Sequence, residues 1–253
     1  MQVLEQSEAF MEVGEDLAYS HTVVILREGE KFYYANTKCR GLSSDEIDPN
    51  DLELRPIPID DFWPPFPSDF TSAPDPVPAD CFIKRPSLVS YDAIDDVRLS
   101  DLLLEEARTC EILRKHPHPN IAQYLGCTVE RDRITGLCFV KYSTTLADRL
   151  NDLDRPVHKD KCWNAVKSGI EHLHSLGLVH NDLNPYNIML KPDDAPVIID
   201  FDSCRREDDK LLKGGTWGWA DENAEFATPQ NDYYGLKLIY EALDPVGTCT
   251  GKM

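Results

Sequence analysis

The chain has 253 residues, of which 42% are hydrophobic, enough for a folded core in one domain or a small two-lobed structure. Its net charge of −19 makes binding to nucleic-acid phosphates or to an anionic membrane unfavourable. No secretory signal opens the chain and no apolar run approaches the roughly 18 residues of a membrane span. We therefore expect a cytoplasmic or nuclear protein with reduced cysteines that serve as small buried apolar residues.

Positions 1–44 form an acidic N-terminal segment. Residues 1–80 together hold 17 Asp and Glu against 5 Lys and Arg, and residues 1–20 show weak helical periodicity. A β-branched run from Thr22 to Leu26 and an aromatic run from Lys31 to Ala35 flank a Glu-Gly-Glu turn signal. This pattern predicts a β-hairpin.

The segment 45–80 is rich in proline, which fixes φ and removes backbone donors. A central strand or a long helix is therefore excluded there. The segment is either a linker or an extended strap on a folded surface. Four large aromatic residues favour the strap, because free linkers are usually poor in them. They are Phe62, Trp63, Phe66 and Phe70.

The segment 81–143 begins with a short strand, Cys81 to Lys84. Apolar residues at helical spacing predict a helix from Leu99 to Lys115, which stops at a His-Pro-His-Pro sequence. Residues 121–128 and 137–142 are expected to be strands joined by a turn at 131–133.

The segment 144–253 is predicted to contain a helical turn at 146–150 and a longer helix at 159–176. Two short strands follow, at 188–190 and 197–201, around an Asp-Asp turn. The last expected helix runs from Asp232 to Leu243, and we expect the domain to be truncated after it.

Three polar residues have the spacing that phosphoryl transfer needs. Asn187 follows Asp182 by five residues, so one loop can bring both side chains to a single cavity. Asp200 ends an apolar strand, where a carboxylate is costly unless it meets a cation or hydrogen-bond donors. Mg²⁺ is the natural partner, because it prefers oxygen ligands.

These residues lie in segments that resemble eukaryotic protein kinases. In overall sequence character, the chain is most similar to small divergent kinase-domain proteins of filamentous fungi. The segment 178–190 looks like the catalytic loop, and Ile199-Asp200-Phe201 looks like the metal-binding strand end after it. Other matching segments lie between residues 81 and 245. They are Phe82-Ile83-Lys84, Glu106, His118-Pro119-Asn120-Ile121, Phe139-Val140-Lys141-Tyr142, residues 215–222 and Asp232-Tyr233-Tyr234-Gly235.

The resemblance implies an α+β, two-lobed protein-kinase-like fold with a small β-rich N-lobe and hinge at 81–143 and a shortened helical C-lobe from 144. It implies Mg²⁺ and ATP as cofactors and a protein substrate of unknown identity. By the same resemblance, Lys84, paired with Glu106 or the adjacent Glu105, holds ATP phosphates, and Asp182 orients the acceptor hydroxyl. Asn187 and Asp200 bind Mg²⁺. The adenine pocket is lined by Val140, Lys141, Tyr142 and Ser143.

The sequence departs from the family at four points. No glycine-rich phosphate loop precedes Lys84, although the hairpin at 22–35 could supply its two strands. The loop arginine of the family is Asn181, which argues against control by a phosphorylated activation segment. The lysine two positions after the catalytic aspartate is Asn184, and the glycine after Asp200-Phe201 is Asp202.

Three functions are compatible with this pattern. The first is an ATP-dependent Ser/Thr protein kinase. The second is a pseudokinase that binds without much turnover, suggested by the missing glycine loop and by Asp202. The third is a small-molecule kinase of the aminoglycoside phosphotransferase type, whose corresponding strand end resembles residues 198–202.

Structural roles are expected for the remaining conspicuous residues. His180 should hold the loop by a hydrogen bond, and Asp232 should accept backbone donors from the catalytic loop. The His116 and His118 pair indicates a helix-end turn rather than a metal site. Trp217 and Trp219 are expected to be packing residues, the alternative being an aromatic platform for the acceptor.

Overall fold

The computed structural model describes residues 1–14, 16–92, 97–152 and 154–244. The chain divides into two compact units. Unit 1 comprises Met1–Pro67, Arg85–Leu104 and Val129–Gly136. Unit 2 comprises Ser68–Lys84, Glu105–Thr128 and the chain from Leu137 onward.

Unit 1 is built on an antiparallel sheet whose four strands follow in chain order. They are β1 (Gln2–Val13), β2 (Asp16–Glu28), β3 (Lys31–Thr37) and β4 (Arg55–Ile57). Strands β2 and β3 pair antiparallel, and the last pair before the turn is Glu28 with Lys31. The predicted hairpin is therefore confirmed.

The helical periodicity in residues 1–20 is misleading. This segment forms β1 and the start of β2, which pair along their length. The β-branched core of β2, Val23 to Ile25, is almost fully buried and supplies the packing surface. Tertiary pairing of this kind overrides a weak local preference.

The proline-rich segment is a packed strap. Phe62 is 1% exposed, and its ring centroid lies 4.9 Å from that of Phe32 on β3. In unit 2, the backbone N–H of Cys127 donates to the carbonyl oxygen of Thr71 at 2.7 Å, and the N–H of Ala73 donates to the carbonyl oxygen of Cys127 at 2.7 Å. Gly126, with φ of +134°, passes so close that a Cβ there would meet the backbone of Ser72 at 2.5 Å. The strap is therefore confirmed over the free linker.

Unit 2 contains most of the predicted helices and strands, grouped in three small sheets of order β5-β7-β6, β11-β10-β8 and β12-β9. Helix α1 and the β6–β7 pair contribute residues to both units. The elements are β5 (Cys81–Lys84), α1 (Leu99–Lys115), β6 (Tyr124–Glu130), β7 (Arg133–Val140), β8 (Thr144–Thr145), α2 (Leu146–Leu150), α3 (Lys159–Ser175), β9 (Leu178–Val179), β10 (Ile188–Leu190), β11 (Pro196–Ile198), β12 (Arg205–Arg206) and α4 (Pro229–Ala242).

Several predicted boundaries shift. The strands expected at 121–128 and 137–142 are β6 at Tyr124–Glu130 and β7 at Arg133–Val140. Strand β11 ends at Ile198 rather than at Phe201, so Asp200 stands two residues beyond the strand with φ of +63°. Helix α4 begins at Pro229 rather than at Asp232, because a proline is well suited to the first helical position.

The hairpin at 22–35 does not supply the strands of the missing phosphate loop, so that prediction is wrong. Strand β2 is paired on both edges, with β1 and with β3, inside the sheet of unit 1. Strand β5, which carries Lys84, pairs with β7 in a different sheet.

Five of the seven cysteines in the described part of the chain are buried, as expected, while Cys39 is exposed and Cys81 half-buried. Burial raises the pKa of Cys162 to about 12, so this thiol stays protonated and apolar. Cys249 lies outside the described residues. No described helix combines the length and the apolar character that a bilayer span requires.

We expect Phe62→Ala to lower the free energy of unfolding by about 3–5 kcal/mol, because it empties a fully packed ring site. Phe10→Ala removes the same ring from a position that is 49% exposed. It should cost only about 1 kcal/mol, through the edge contact with Tyr19. Urea unfolding followed by tryptophan fluorescence compares the two variants, and equal losses would contradict the packed strap.

Candidate active site

The loop after β9 is held by one buried carboxylate. Asp232, on α4, is fully buried and accepts the backbone N–H of His180 at 2.9 Å and of Asn181 at 2.8 Å. Its Oδ2 also lies 2.8 Å from Nε2 of His174. Gly235 permits this approach, since a Cβ there would lie 2.4 Å from the carbonyl oxygen of Leu183. The structural role expected for Asp232 is confirmed.

His180 links the loop to the strand end that follows it. Its ring is fully buried, and Nε2 lies 3.0 Å from the carbonyl oxygen of Ile199, to which it donates. Nδ1 accepts the backbone N–H of Asp182 at 3.3 Å. These two bonds fix the tautomer, and they confirm the structural role expected for His180.

The Asp182 carboxylate is oriented by three donors. Oδ2 accepts from Nδ2 of Asn187 at 3.0 Å. Oδ1 accepts from Nδ2 of Asn184 at 3.1 Å and from the backbone N–H of Thr216 at 2.7 Å. The carboxylate is half-buried, so it stays reachable while its direction is fixed.

Asn184 acts as a neutral brace. Its Oδ1 accepts the backbone N–H groups of Tyr186 and Asn187, which caps the short helical turn Pro185–Asn187. Its Nδ2 donates to Asp182 and to the hydroxyl of Thr216. The signal in the sequence was an asparagine directly before proline at a turn, a common capping arrangement.

Asn181 ties the loop to the segment after Asp200. Its Nδ2 donates to the carbonyl oxygens of Val179 and Ser203, and its Oδ1 accepts from Asn231. Both functional atoms of the amide are therefore used in a buried position. This loop needs no positive charge at position 181 to hold its shape.

The ammonium group of Lys84 contacts three carboxylates. Its Nζ is 2.8 Å from Oε1 of Glu106, 2.7 Å from Oδ1 of Asp200 and 3.6 Å from Oδ2 of Asp202. Burial by itself would lower the pKa of Lys84, but the surrounding carboxylates outweigh it and raise that pKa. The ammonium is thus charged at any physiological pH.

Glu106, and not Glu105, is the partner of Lys84. Glu106 is 2% exposed, and Oε1 also accepts the backbone N–H of Phe201 at 3.3 Å. Burial raises the pKa of Glu106, and the Lys84 ammonium acts in the opposite direction. Glu105 points elsewhere on α1 and pairs with Arg108.

Asp202 binds a second ammonium that sequence reasoning missed. Its Oδ1 lies 2.7 Å from Nζ of Lys213. Burial would raise the pKa of Asp202, but Lys84 and Lys213 outweigh this effect and hold it well below its usual range. Lys213 stands in an irregular segment eleven residues further on, where no periodicity could have indicated the contact.

Asp200 and Asn187 are the residues that the sequence predicts to bind Mg²⁺, and Oδ1 of Asp200 contacts Nζ of Lys84 at 2.7 Å. The backbone N–H of Ile199 donates to the carbonyl oxygen of Asn187 at 3.0 Å, which places the two residues side by side. No hydrogen bond to Oδ1 of Asn187 exists among the described residues, so this oxygen is free to bind a cation. Mg²⁺ commonly takes one or two protein ligands and completes its shell with phosphates and water, so this donor set fits.

An apolar cavity of about 330 Å³ lies next to Lys84 and Asp200. Its size falls in the range of small-molecule pockets. Val140, Lys141 and Tyr142 line it as expected, whereas Ser143 is exposed and does not. Residues that the sequence did not indicate complete the wall; they are Phe82, Ala122, Phe139, Met189 and Ile199.

Comparison with known proteins agrees with this geometry. The model of the protein kinase domain matches residues 93–217, just under half of the chain. This part of the chain is similar to the protein kinase domain. The kinase-like region includes Glu106, the loop from His180 to Asn187, and Asp200, so the match covers most of the residues that meet around Lys84.

Several protein kinases are similar to this kinase-like chain. Serine/threonine-protein kinase SSK22 of Saccharomyces cerevisiae is 30% identical over 120 residues, which cover 46% of the chain and 9% of that protein. Serine/threonine-protein kinase Tao of Drosophila melanogaster is 29% identical over 138 residues, which cover 53% of the chain and 13% of that protein. Serine/threonine-protein kinase/endoribonuclease IRE1 of Hypocrea jecorina is 28% identical over 165 residues, which cover 60% of the chain and 12% of that protein. The match thus spans about a tenth of each relative's length.

Two other expectations for the kinase-like chain have different outcomes. Trp217 is 84% exposed, so the packing role predicted for it is wrong, while Trp219 is half-buried. The His116 and His118 pair does lie at a helix end, where the ring of His118 stacks on His172 with centroids 4.8 Å apart. Among the described residues, no group of three or more His, Cys, Asp or Glu side chains is arranged to hold a metal ion.

We expect Asp232→Asn to lower the free energy of unfolding by about 2–3 kcal/mol, because an amide group would then face N–H donors. Asp208→Asn is the control, at an exposed residue with φ of +70° that asparagine tolerates. Hydrogen exchange of the His180 and Asn181 amides should become faster in Asp232→Asn alone. Unchanged exchange at these two amides would contradict the role of Asp232.

Proposed function

We propose that the chain is an ATP-dependent kinase that phosphorylates Ser or Thr hydroxyl groups of a protein. The observation that carries this proposal is the contact of Lys84 with both Glu106 and Asp200 in the same unit as the oriented Asp182 carboxylate. A cation for phosphates, a carboxylate for a metal and a carboxylate for the acceptor are the parts that phosphoryl transfer requires.

The apolar cavity supports nucleotide binding. Adenine fits between apolar side chains, and the backbone groups of Val140, Lys141 and Tyr142 would supply its hydrogen bonds. The cavity also contains Lys84 and Asp200 on its wall, so a nucleotide seated there would bring its phosphates to these charges.

Asp182 would orient the acceptor hydroxyl and accept its proton as the new bond forms. Lys84 would hold the phosphates that are not transferred, with Glu106 fixing its position. Asn187 and Asp200 would hold Mg²⁺, which neutralises phosphate charge when bound. Positioning and electrostatics of this kind account for most of the catalysis in phosphoryl transfer.

The relatives support a protein as the acceptor, since the matched proteins are named as serine/threonine kinases. The proposed compartment is the cytoplasm or the nucleus, where free thiols stay reduced.

A binding module with little turnover is the second candidate. It is favoured by Asp202, which adds a carboxylate beside Lys84, and by the pairing of β5 with β7 alone among the described strands. Such a module would bind ATP through the same cavity but would not cover its phosphates.

We expect Asp182→Asn to reduce phosphate transfer about 10²- to 10⁴-fold, because an amide cannot take the acceptor proton. The experiment incubates the purified protein with labelled ATP, Mg²⁺ and either generic protein substrates or aminoglycosides and sugar alcohols. Asp208→Asn should match the wild type, since this residue is exposed.

Three outcomes separate the candidates. Transfer to protein that Asp182→Asn abolishes supports the proposal. Transfer to small alcohols alone identifies a small-molecule kinase. ATP binding by wild type with no transfer to any acceptor supports the binding module, and equal transfer by wild type and Asp182→Asn overturns the proposed chemistry.

A further inference from the structure

A second ammonium stands beside the charged cluster of Lys84. Nζ of Lys213 lies 2.7 Å from Oδ1 of Asp202, while Oδ2 of the same carboxylate lies 3.6 Å from Nζ of Lys84. Asp202 therefore bridges two cations. Among the described residues, the ammonium groups paired with Asp200 and Asp202 come from these two lysines.

The segment that carries Lys213 is anchored on the acceptor side of the site. The backbone N–H of Thr216 donates to Asp182 at 2.7 Å. Gly215 packs against the same loop, since a Cβ there would lie 2.8 Å from the carbonyl oxygen of Asn181 and 3.4 Å from Oδ1 of Asp182. The ammonium of Lys213 is thus held at Asp202, and its backbone is fastened to Asp182 within three residues.

In the proposed function, ATP binds in the apolar cavity beside Lys84 and Asp200, and its transferred phosphoryl group moves towards an acceptor at Asp182. Its charge has to be neutralised on the way. Charge on this group spreads over three oxygens during transfer. Lys84 is already engaged by Glu106 and Asp200, and the side chain that braces Asp182, Asn184, is neutral. Among the described residues, Lys213 is the other lysine whose ammonium contacts this carboxylate cluster. The nearby guanidinium of Arg205 is buried and donates to the carbonyl oxygens of Asp202 and Cys204.

The Lys213 ion pair is also suited to exchange partners. The side chain of Lys213 is 40% exposed, whereas Lys84 is mostly buried. An exposed ion pair contributes little to stability, so a phosphate oxygen can compete with Asp202 for the ammonium. A lysine ammonium is a flexible point charge that can follow a moving phosphoryl group.

We propose that Lys213 is a catalytic residue that binds the transferred phosphoryl group of ATP, with Asp202 holding its ammonium in place beforehand. This inference rests on the proposed kinase function. In the step, the acceptor oxygen forms a bond to the γ-phosphorus, and the bond from that phosphorus to the bridging oxygen breaks. The electron pair of the broken bond leaves with ADP, the acceptor proton passes to Asp182, and Lys213 keeps its own proton.

The test compares Lys213→Met, Lys213→Arg and the control Lys210→Met, which removes an exposed lysine three residues earlier. Lys213→Met should lower kcat about 10²-fold, as loss of one transition-state donor does. By calorimetry it should bind a non-hydrolysable ATP analogue about tenfold more weakly and ADP as the wild type does. Lys213→Arg should stay within a few-fold of wild type, and Lys210→Met should be unchanged.

Several results would overturn the inference. Wild-type kcat in Lys213→Met is one, and equal weakening of ADP and of the ATP analogue is another. A large fall in its melting temperature would show that Lys213 is structural. If wild type binds nucleotides without turnover, the kinase proposal fails, and the difference between analogue and ADP affinity still decides the role of Lys213. If wild type binds neither nucleotide, both proposals fall.

Discussion

The buried carboxylate of Glu106 is the constraint on which the site depends. A charged side chain at 2% exposure is costly unless it is paired, and removal of one member of such a pair typically costs about 3–5 kcal/mol. Lys84 on β5 supplies the charge, and the backbone N–H of Phe201 supplies a further donor. Strand β5, helix α1 and the turn after β11 must therefore meet at one point, and that point lies on the wall of the apolar cavity.

Around this charged centre, the loop from His180 to Asn187 is built mostly from neutral hydrogen bonds. Asn181 binds two carbonyl oxygens and a neighbouring amide, and Asn184 braces Asp182 while capping the next turn. Amides of this kind hold a loop without depending on pH or on a phosphate group. The same substitutions that set this chain apart from the family thus give its loop a fixed shape of its own.

The sequence predicted the parts of the fold that rest on local pattern. Helix α1 was predicted at its observed bounds, because its apolar residues recur at helical spacing. The strap was predicted from the conflict between many prolines and four large aromatic residues. The contact of Lys84 with Glu106 followed from the family resemblance, and the structure distinguishes Glu106 from Glu105 by burial.

The failures have a common physical cause, since each depends on contacts between distant residues. Residues 2–13 form a strand because β2 is available to pair with them, which no local preference indicates. Trp217 is exposed although it is large and apolar, and the contact that anchors its segment is the distant one between Thr216 and Asp182. Lys213 reaches Asp202 from an irregular segment, where sequence spacing carries no information about distance.

The most direct test of this account measures nucleotide affinity and turnover together in wild type and in Asp200→Asn, with and without Mg²⁺. Asparagine keeps the side-chain shape and tolerates the φ of +63° at this position. We expect Mg²⁺ to strengthen ATP binding by wild type. Asp200→Asn should lose both this strengthening and turnover, while it still binds ATP without metal. Equal Mg²⁺ dependence and equal turnover in the two proteins would contradict this expectation.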